Sequence, residues 1–354
     1  MEIHVTTTNQ PLCEADFTKL VRDLPRFHPG IYPQWNRVVA RGLRQTCFTV
    51  EARDASGEIL GALPLVLQKS LLFGKHLISV PYVNLSGLLV PEGENRAAID
   101  AALVDEAVKL ADRFDVKYLE LRGDRELEHP KLEFTRRSKV LMRLELPETA
   151  DELWKAIGPK VRNQIRKGEK SGLQFEWGGR RLLKPFYDVF AETMRNVGTP
   201  VYSRKLFTAM FDELGEDKLE ICVVRMPNGR VASAALLAHG RGITEVPTAG
   251  TLRFANTYCA NMFMYWQLLK HSIEDRHAVA FDFGRSSVDS NTWRFKKQWG
   301  ATENPAIWKY YVRHGSIDDV RPDNASYKLK IWVWKRLPVW VTKLIGPPVV
   351  RGIP

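Results

Sequence analysis

The chain has 354 residues, 44% hydrophobic and 26% charged, the make-up of a globular protein with packed cores rather than a disordered or fibrous one. At roughly 100–200 residues per domain, two domains are expected. A total of 52 lysines and arginines against 41 acidic residues gives a formal net charge of +11, which favours an anionic partner: nucleic acid, a phosphorylated substrate or acidic lipid.

The opening segment MEIHVTTTNQPLCEADF lacks a charged-then-apolar leader pattern. No run approaches the ~18 apolar residues of a membrane span. Cys13, Cys47, Cys222 and Cys259 show neither a CxxC pair nor zinc-ligand spacing. A cytoplasmic setting, or one peripheral to the inner face of a membrane, is expected, with no metal and no resident cofactor.

Two strand-like runs flank Ser56-Gly57 within CFTVEARDASGEILGALPLV at 47–66, and a serine-glycine pair suits a tight hairpin turn. A further strand-like run, LISVPYVNLSG, follows near 77–87, then a helix at about 95–114 and the strand VKYLELRGD at 116–124. KVLMRLEL at 139–146 closes this half. A boundary falls near Pro147, and N-cap and acidic first-turn signals start a helix at Thr149 or Asp151.

The same order then returns. A hairpin turns at Asn228-Gly229, GITEVPTAG occupies 242–250, a helix follows at about 256–275, and AVAFDFGRS ends the series at 278–286. Gly57 matches Gly229, Pro81 matches Pro247, and Glu120 matches Asp282. The expected fold is therefore a duplicated α/β (α+β) unit, each half a mixed twisted sheet flanked by helices. The expected division is 1–147, 148–305, and 306–354 as a final strand with a basic, Trp-rich tail.

Hairpin, strand, helix, strand is the core order of the GNAT acyltransferase fold, and local motifs narrow the resemblance. PKVRNQIRKGEKSGL at 159–173 and FDFGRSSVDSNTWRFKKQWGA at 281–301 resemble the opening helix and closing signature of the second domain of FemAB-like aminoacyl/N-acyltransferases. ALPLVLQKSLLFGKHLISVPYVNLSG at 62–87 is similar to the first domain of FemAB-related proteins associated with exosortase/PEP-CTERM exopolysaccharide systems. The resemblance implies N-acyl transfer to an amine of a cell-envelope precursor, either a peptidoglycan-type peptide or an exopolysaccharide amino sugar. The acyl donor would be a co-substrate, aminoacyl-tRNA or acyl-CoA, and the acceptor phosphate-bearing or lipid-linked. Two family features are missing: a Gly-rich pyrophosphate loop and a coiled-coil arm. Acyl-CoA-dependent acetylation of a small molecule is one alternative. Non-catalytic nucleic-acid or membrane binding is another, although the basic residues are not interleaved with stacking aromatics as single-strand binders require.

The resemblance places Lys296, in RFKKQWG, at the reaction centre, stabilising an oxyanion or a phosphate-rich substrate. Asp282 and Arg285 end a strand, where α/β sheets usually bind ligands. Gly284 lets the chain turn there, and Asp282 alternates with Phe281 and Phe283, so it faces away from them. Asp282 either takes the amine proton or simply pairs with Arg285. Arg162 and Arg166, four apart on one helix face and followed by Lys167, either grip phosphates or form a solvated face. Tyr82 and Asn84 fall where the first sheet would open. Tyr202, Tyr265 and Trp266 either line a site or belong to the core. His28, His239, His271 and His277 show no ligand spacing. The tail 325–354 mixes Trp332, Trp334 and Trp340 with Lys328, Lys330, Lys335, Arg336 and Lys343 and has no acidic residue. It suits a membrane interface, or a segment packed back on the first module.

Overall fold

The computed structural model describes residues 2–70, 73–315 and 325–353. Its strands, in chain order, are β1 (His4–Thr8), β2 (Thr46–Arg53), β3 (Ile59–Ser70), β4 (Gly74–Ile78), β5 (Tyr118–Gly123), β6 (Phe134–Arg136) and β7 (Val140–Glu145). They continue with β8 (Gln174–Gly178), β9 (Leu219–Arg225), β10 (Val231–His239), β11 (Ile243–Thr251), β12 (Ala280–Ser286), β13 (Thr302–Pro305) and β14 (Ile307–Val312).

Both hairpins form where the turn dipeptides stand. Gly57 and Gly229 sit at φ 85° and 80°, in the left-handed region that glycine enters without steric cost. Each half then crosses over through one long helix, Arg96–Arg113 or Ala260–Glu274, to a parallel strand. The first of these helices lays Leu103, Ala107, Val108 and Ala111 on its sheet.

The sheets are ordered β1-β2-β3-β4-β5-β14-β6 and β8-β9-β10-β11-β12-β7-β13. They match strand for strand, with one exchange. The sixth strand of each sheet comes from the other side of the chain. β7 pairs with β12, placing Leu144 opposite Phe281, and β14 pairs with β5, placing Tyr310 opposite Glu120. The helix after Pro147 does start with Thr149 capping Glu152 N–H, yet the strand just before it belongs to the second sheet. A division of the chain at 147 and 305 therefore does not divide the sheets.

The run 77–87 departs from its expected strand. Pairing with β5 stops at Ile78, because Pro81 has no N–H to offer and Tyr82 adopts φ 75°. Residues 79–87 instead leave the sheet as a loop. The matching proline of the second half, Pro247, stays within β11, opposite a register shift in β10 between Leu236 and Ala238.

The halves also share a core. Trp35, Val38, Val66 and Val80 of the first pack in one cluster with Phe186, Phe190, Phe207 and Leu236 of the second. The helices Trp35–Leu43 and Arg204–Leu214 approach so closely that a side chain on Gly42 would lie 2.8 Å from the Leu206 Cα.

Candidate active site

β11 and β12 pair in parallel only over Ile243–Glu245 and Ala280–Asp282, with Glu245 opposite Asp282. Beyond that point the strands part. In the first half the equivalent opening is nearly filled, leaving a cavity of 80 Å³ against Leu85, Gly87, Arg122 and Ile307. Polar side chains gather instead where the second half opens.

Phe281 and Phe283 turn into the core of the second half, so Asp282 turns the other way, as strand alternation requires. It is fully buried. Its Oδ1 accepts a hydrogen bond from Gly284 N–H at 2.7 Å. Its Oδ2 lies 3.5 Å from Arg143 Nη2 and 3.7 Å from His28 Nε2. Glu245, also buried, has its Oε2 3.4 Å from the same His28 nitrogen. Burial raises the Glu245 pKa, and the nearby Asp282 charge adds to this while His28 opposes it. His28 Nδ1 accepts the Gly30 N–H at 3.0 Å, so the neutral ring carries its proton on Nε2, pointing between the two carboxylates.

Of the two roles open to Asp282, the pair with Arg285 is not formed among the described residues. Gly284 at φ 76° and a register shift against β7 between Asp282 and Arg285 turn Arg285 toward the first half. Its Nε donates to Asn84 Oδ1 at 2.8 Å. The Asn84 amide donates in turn to Glu245 Oε1 at 2.5 Å, so one asparagine bridges a guanidinium and a carboxyl across the two halves. The Arg285 guanidinium lies 4.4 Å from the Trp308 ring centroid, and Arg122 lies at the same distance from that indole. Arg122 is neutralised by Glu120 at 2.6 Å. Arg285 has an amide for a partner, and burial beside Arg122 lowers it to about 10.

Lys296 sits on the helix Asn291–Lys297, capped by Ser290. Phe295 and Trp299, four apart, pack that helix against Tyr265, which leaves Lys296 facing the strand end. Lys296 is 7% exposed, and its ammonium donates to the carbonyls of Gly284 and Arg285, each at 2.9 Å. Burial lowers it to about 8, against the pull of Asp282 and Glu245. The cluster thus holds two cations, Arg285 and Lys296, whose hydrogen bonds go to neutral oxygens. Beside the Lys296 helix an open groove of 690 Å³ runs between Leu146, Ile157, Lys297 and Gly300.

Lys296, Asp282, Arg285 and Asn84 therefore meet. Tyr202 borders them, its buried hydroxyl within electrostatic reach of Arg285 and Arg122, while the other expected site residues do not join them. Arg162 donates to the carbonyls of Trp154, Lys155 and Ile157, closing a helix end. Arg166 lies over the Trp154 ring at 5.4 Å, and Lys167 is exposed. Tyr265 and Trp266 are core residues. Tyr82 and Tyr202 meet edge to face at 5.1 Å, one turn of loop from Asn84. His28, Glu245, Arg143 and Trp308 complete the cluster without any motif to mark them. Glu245 alone carried a signal, as an acid within an apolar strand. Among the described residues, no group of three His, Cys, Asp or Glu could hold a metal ion.

Residues 159–297, within the half that bears this cluster, match the model of the acetyltransferase (GNAT) domain. No curated protein matches the sequence. Among solved structures the chain is similar to FemX, at 16% identity and a TM-score of 0.65, over 93% of this chain and 99% of that one. It is similar to a tandem GNAT protein from the clavulanic acid biosynthesis pathway, at 13% identity and a TM-score of 0.57, over 89% and 100%. It is also similar to L-PGS from Bacillus licheniformis, at 12% identity and a TM-score of 0.54, over 96% and 98%. At such identities the likeness is one of fold: two GNAT-like modules in tandem.

Proposed function

We propose that the protein is an N-acyltransferase of FemAB type, acting at the junction of its halves on an amine of a cell-envelope precursor. The observation that carries this reading is the buried cluster at the β11–β12 opening, whose Glu245, Asp282, Arg285 and Lys296 lie in the segment that matches a GNAT domain. Its parts fit amide formation. The amine nitrogen attacks the acyl carbon, a C–N bond forms, and the bond to the donor's sulfur or oxygen breaks. The ammonium proton must leave, and Asp282 with Glu245 supplies carboxyl groups for it, with His28 beside both. Negative charge gathers on the acyl oxygen, and Lys296 or Arg285 supplies the positive charge to meet it. The same two cations suit a phosphate-bearing substrate.

The motif at 281–301 supports the FemAB type, and the run at 62–87 supports an exopolysaccharide amino sugar as acceptor. The donor in this reading is a co-substrate, aminoacyl-tRNA or acyl-CoA, and the setting is the cytoplasmic side of the envelope. The GNAT domain match favours one second reading, acyl-CoA-dependent acetylation of a small molecule.

Purified protein offered aminoacyl-tRNA and a panel of acyl-CoAs, each with amino-sugar and peptidoglycan-precursor acceptors, tests both by mass spectrometry of the products. Transfer from aminoacyl-tRNA onto an envelope amine is the expected result. Transfer only from acyl-CoA to small amines would replace it with the second reading. No transfer from any donor by folded protein would sink both.

A further inference from the structure

The helix Val339–Val350 packs with its sides reversed. Thr342, Gly346 and Val350, spaced by four, face the body of the protein and are buried. Gly346 sits so close to Val201 that a side chain there would meet its backbone at 2.9 Å. Trp340 and Leu344, also four apart, face outward at 70% and 69% exposure. A helix that only served the core would turn its large apolar residues inward.

The neighbouring segment continues this surface. Trp332, Val333 and Ile345 are exposed too, so five of the eleven large apolar side chains exposed among the described residues lie between Trp332 and Ile345. Val197, exposed on the body, adjoins them, since Gly198 packs on Ile331 and Lys335. Apolar exposure this concentrated marks a contact surface.

The charges around it select the partner. The stretch 325–354 contains six lysines and arginines and no acidic residue. Arg336 stacks on Trp332, 3.6 Å from the ring centroid, and Lys335 is exposed beside it. Lys343 neutralises Asp188, the acidic side chain under this helix, at 2.5 Å. Tryptophan and leucine flanked by the exposed Lys335 and Arg336 suit the headgroup layer of an anionic bilayer, where the rings enter the interface and the cations meet lipid phosphates. No helix among the described residues is long and apolar enough to cross a membrane, so this contact is peripheral.

We infer that Trp332–Ile345 forms a fixed docking surface for a bilayer containing anionic phospholipid. The surface is tied to the body rather than hung from it. Past the helix, the Arg351 carbonyl accepts hydrogen bonds from Gln45, Gln68 and Tyr82, and Tyr82 lies two residues from Asn84. A docked molecule would therefore hold its candidate site in a set orientation toward the membrane. The inference stands independently of acyl transfer.

Co-sedimentation of the full chain with vesicles tests it. Phosphatidylcholine vesicles containing phosphatidylglycerol should bind the protein, and phosphatidylcholine alone should bind it roughly tenfold more weakly. Trp340→Ser with Leu344→Ser should weaken binding by about tenfold or more, with circular dichroism unchanged because both side chains face solvent. Lys335→Glu with Arg336→Glu should weaken it similarly, and Lys296→Met, at the site, should leave it unchanged. Failure of the wild-type protein to bind anionic vesicles would overturn the inference. So would a dimer in light scattering that the Trp340/Leu344 variant dissolves, since a second copy would then cover the patch.

Discussion

At the scale of single residues, Lys296 offers the sharpest test. A buried ammonium held at about 8 is charged below that pH and neutral above it, whereas an ordinary lysine keeps its charge to about 10. If the cation meets developing negative charge, activity falls as pH rises through 8. Lys296→Met should lower turnover by about 10²–10³-fold, with the fold intact and the falling limb gone. Stability carries the opposite sign. Between about 8 and 10 the unfolded chain binds the proton that the folded chain has lost, so stability rises with pH there. Denaturant titrations across that window should show a rise in the wild-type protein that the methionine variant lacks. A pH–stability curve identical in both proteins would place Lys296 in solvent. Of this site, Lys296, Asp282, Arg285 and Asn84 were legible in the sequence, because each stands in or beside a short motif at a strand end. His28 was not, since nothing local distinguishes a histidine in RFHPG. It is brought to Glu245 and Asp282 only by the packing of one half on the other.

At the scale of elements, the decisive piece is the loop 79–87. The sequence suggested a strand there, by analogy with 242–250. Both segments carry a proline, and local pattern cannot tell which will be absorbed by a shift in a neighbouring strand and which will break its own. The broken strand frees Asn84 to cross into the second half, where Gly284 leaves room for it: a side chain on Gly284 would meet the Asn84 amide at 3.1 Å. Asn84→Ala strips a hydrogen bond from the buried Glu245 and the only one made by Arg285 Nε. The loss of both should cost about 1–3 kcal/mol, read as a lower denaturation midpoint with unchanged slope. Activity should fall further than stability does, because Arg285 loses its anchor. A variant as stable and as active as wild type would make the bridge incidental. Arg162 shows the converse. Its spacing from Arg166 puts both on one helix face, but the helix end at Ile157 uses that guanidinium for its own carbonyls, a demand visible only once the two helices are placed.

At the scale of the whole molecule, the duplication was legible from the order of hairpins, strands and helices, whereas the exchange of strands was not. Whether a sixth strand joins its own sheet or the other one depends on a connection that sequence pattern leaves open, since β7 and β14 read alike in either place. The exchange has a physical consequence. A fragment 1–147 would lack β14, leaving β5 and β6 without their shared neighbour, and would carry β7 with nothing to pair with. A fragment 148–354 would lack β7, so β12 and β13 would be parted in the same way. Open strand edges and a halved shared core both favour aggregation over folding. Each fragment made alone should therefore lack the near-ultraviolet circular dichroism of a packed protein, while the two made together should associate and recover it. For the same reason the intact chain should unfold in one calorimetric transition, with calorimetric and van't Hoff enthalpies in agreement. Two separate transitions, or a folded monomeric fragment 1–147, would mean that the exchanged strands add little to holding the halves together.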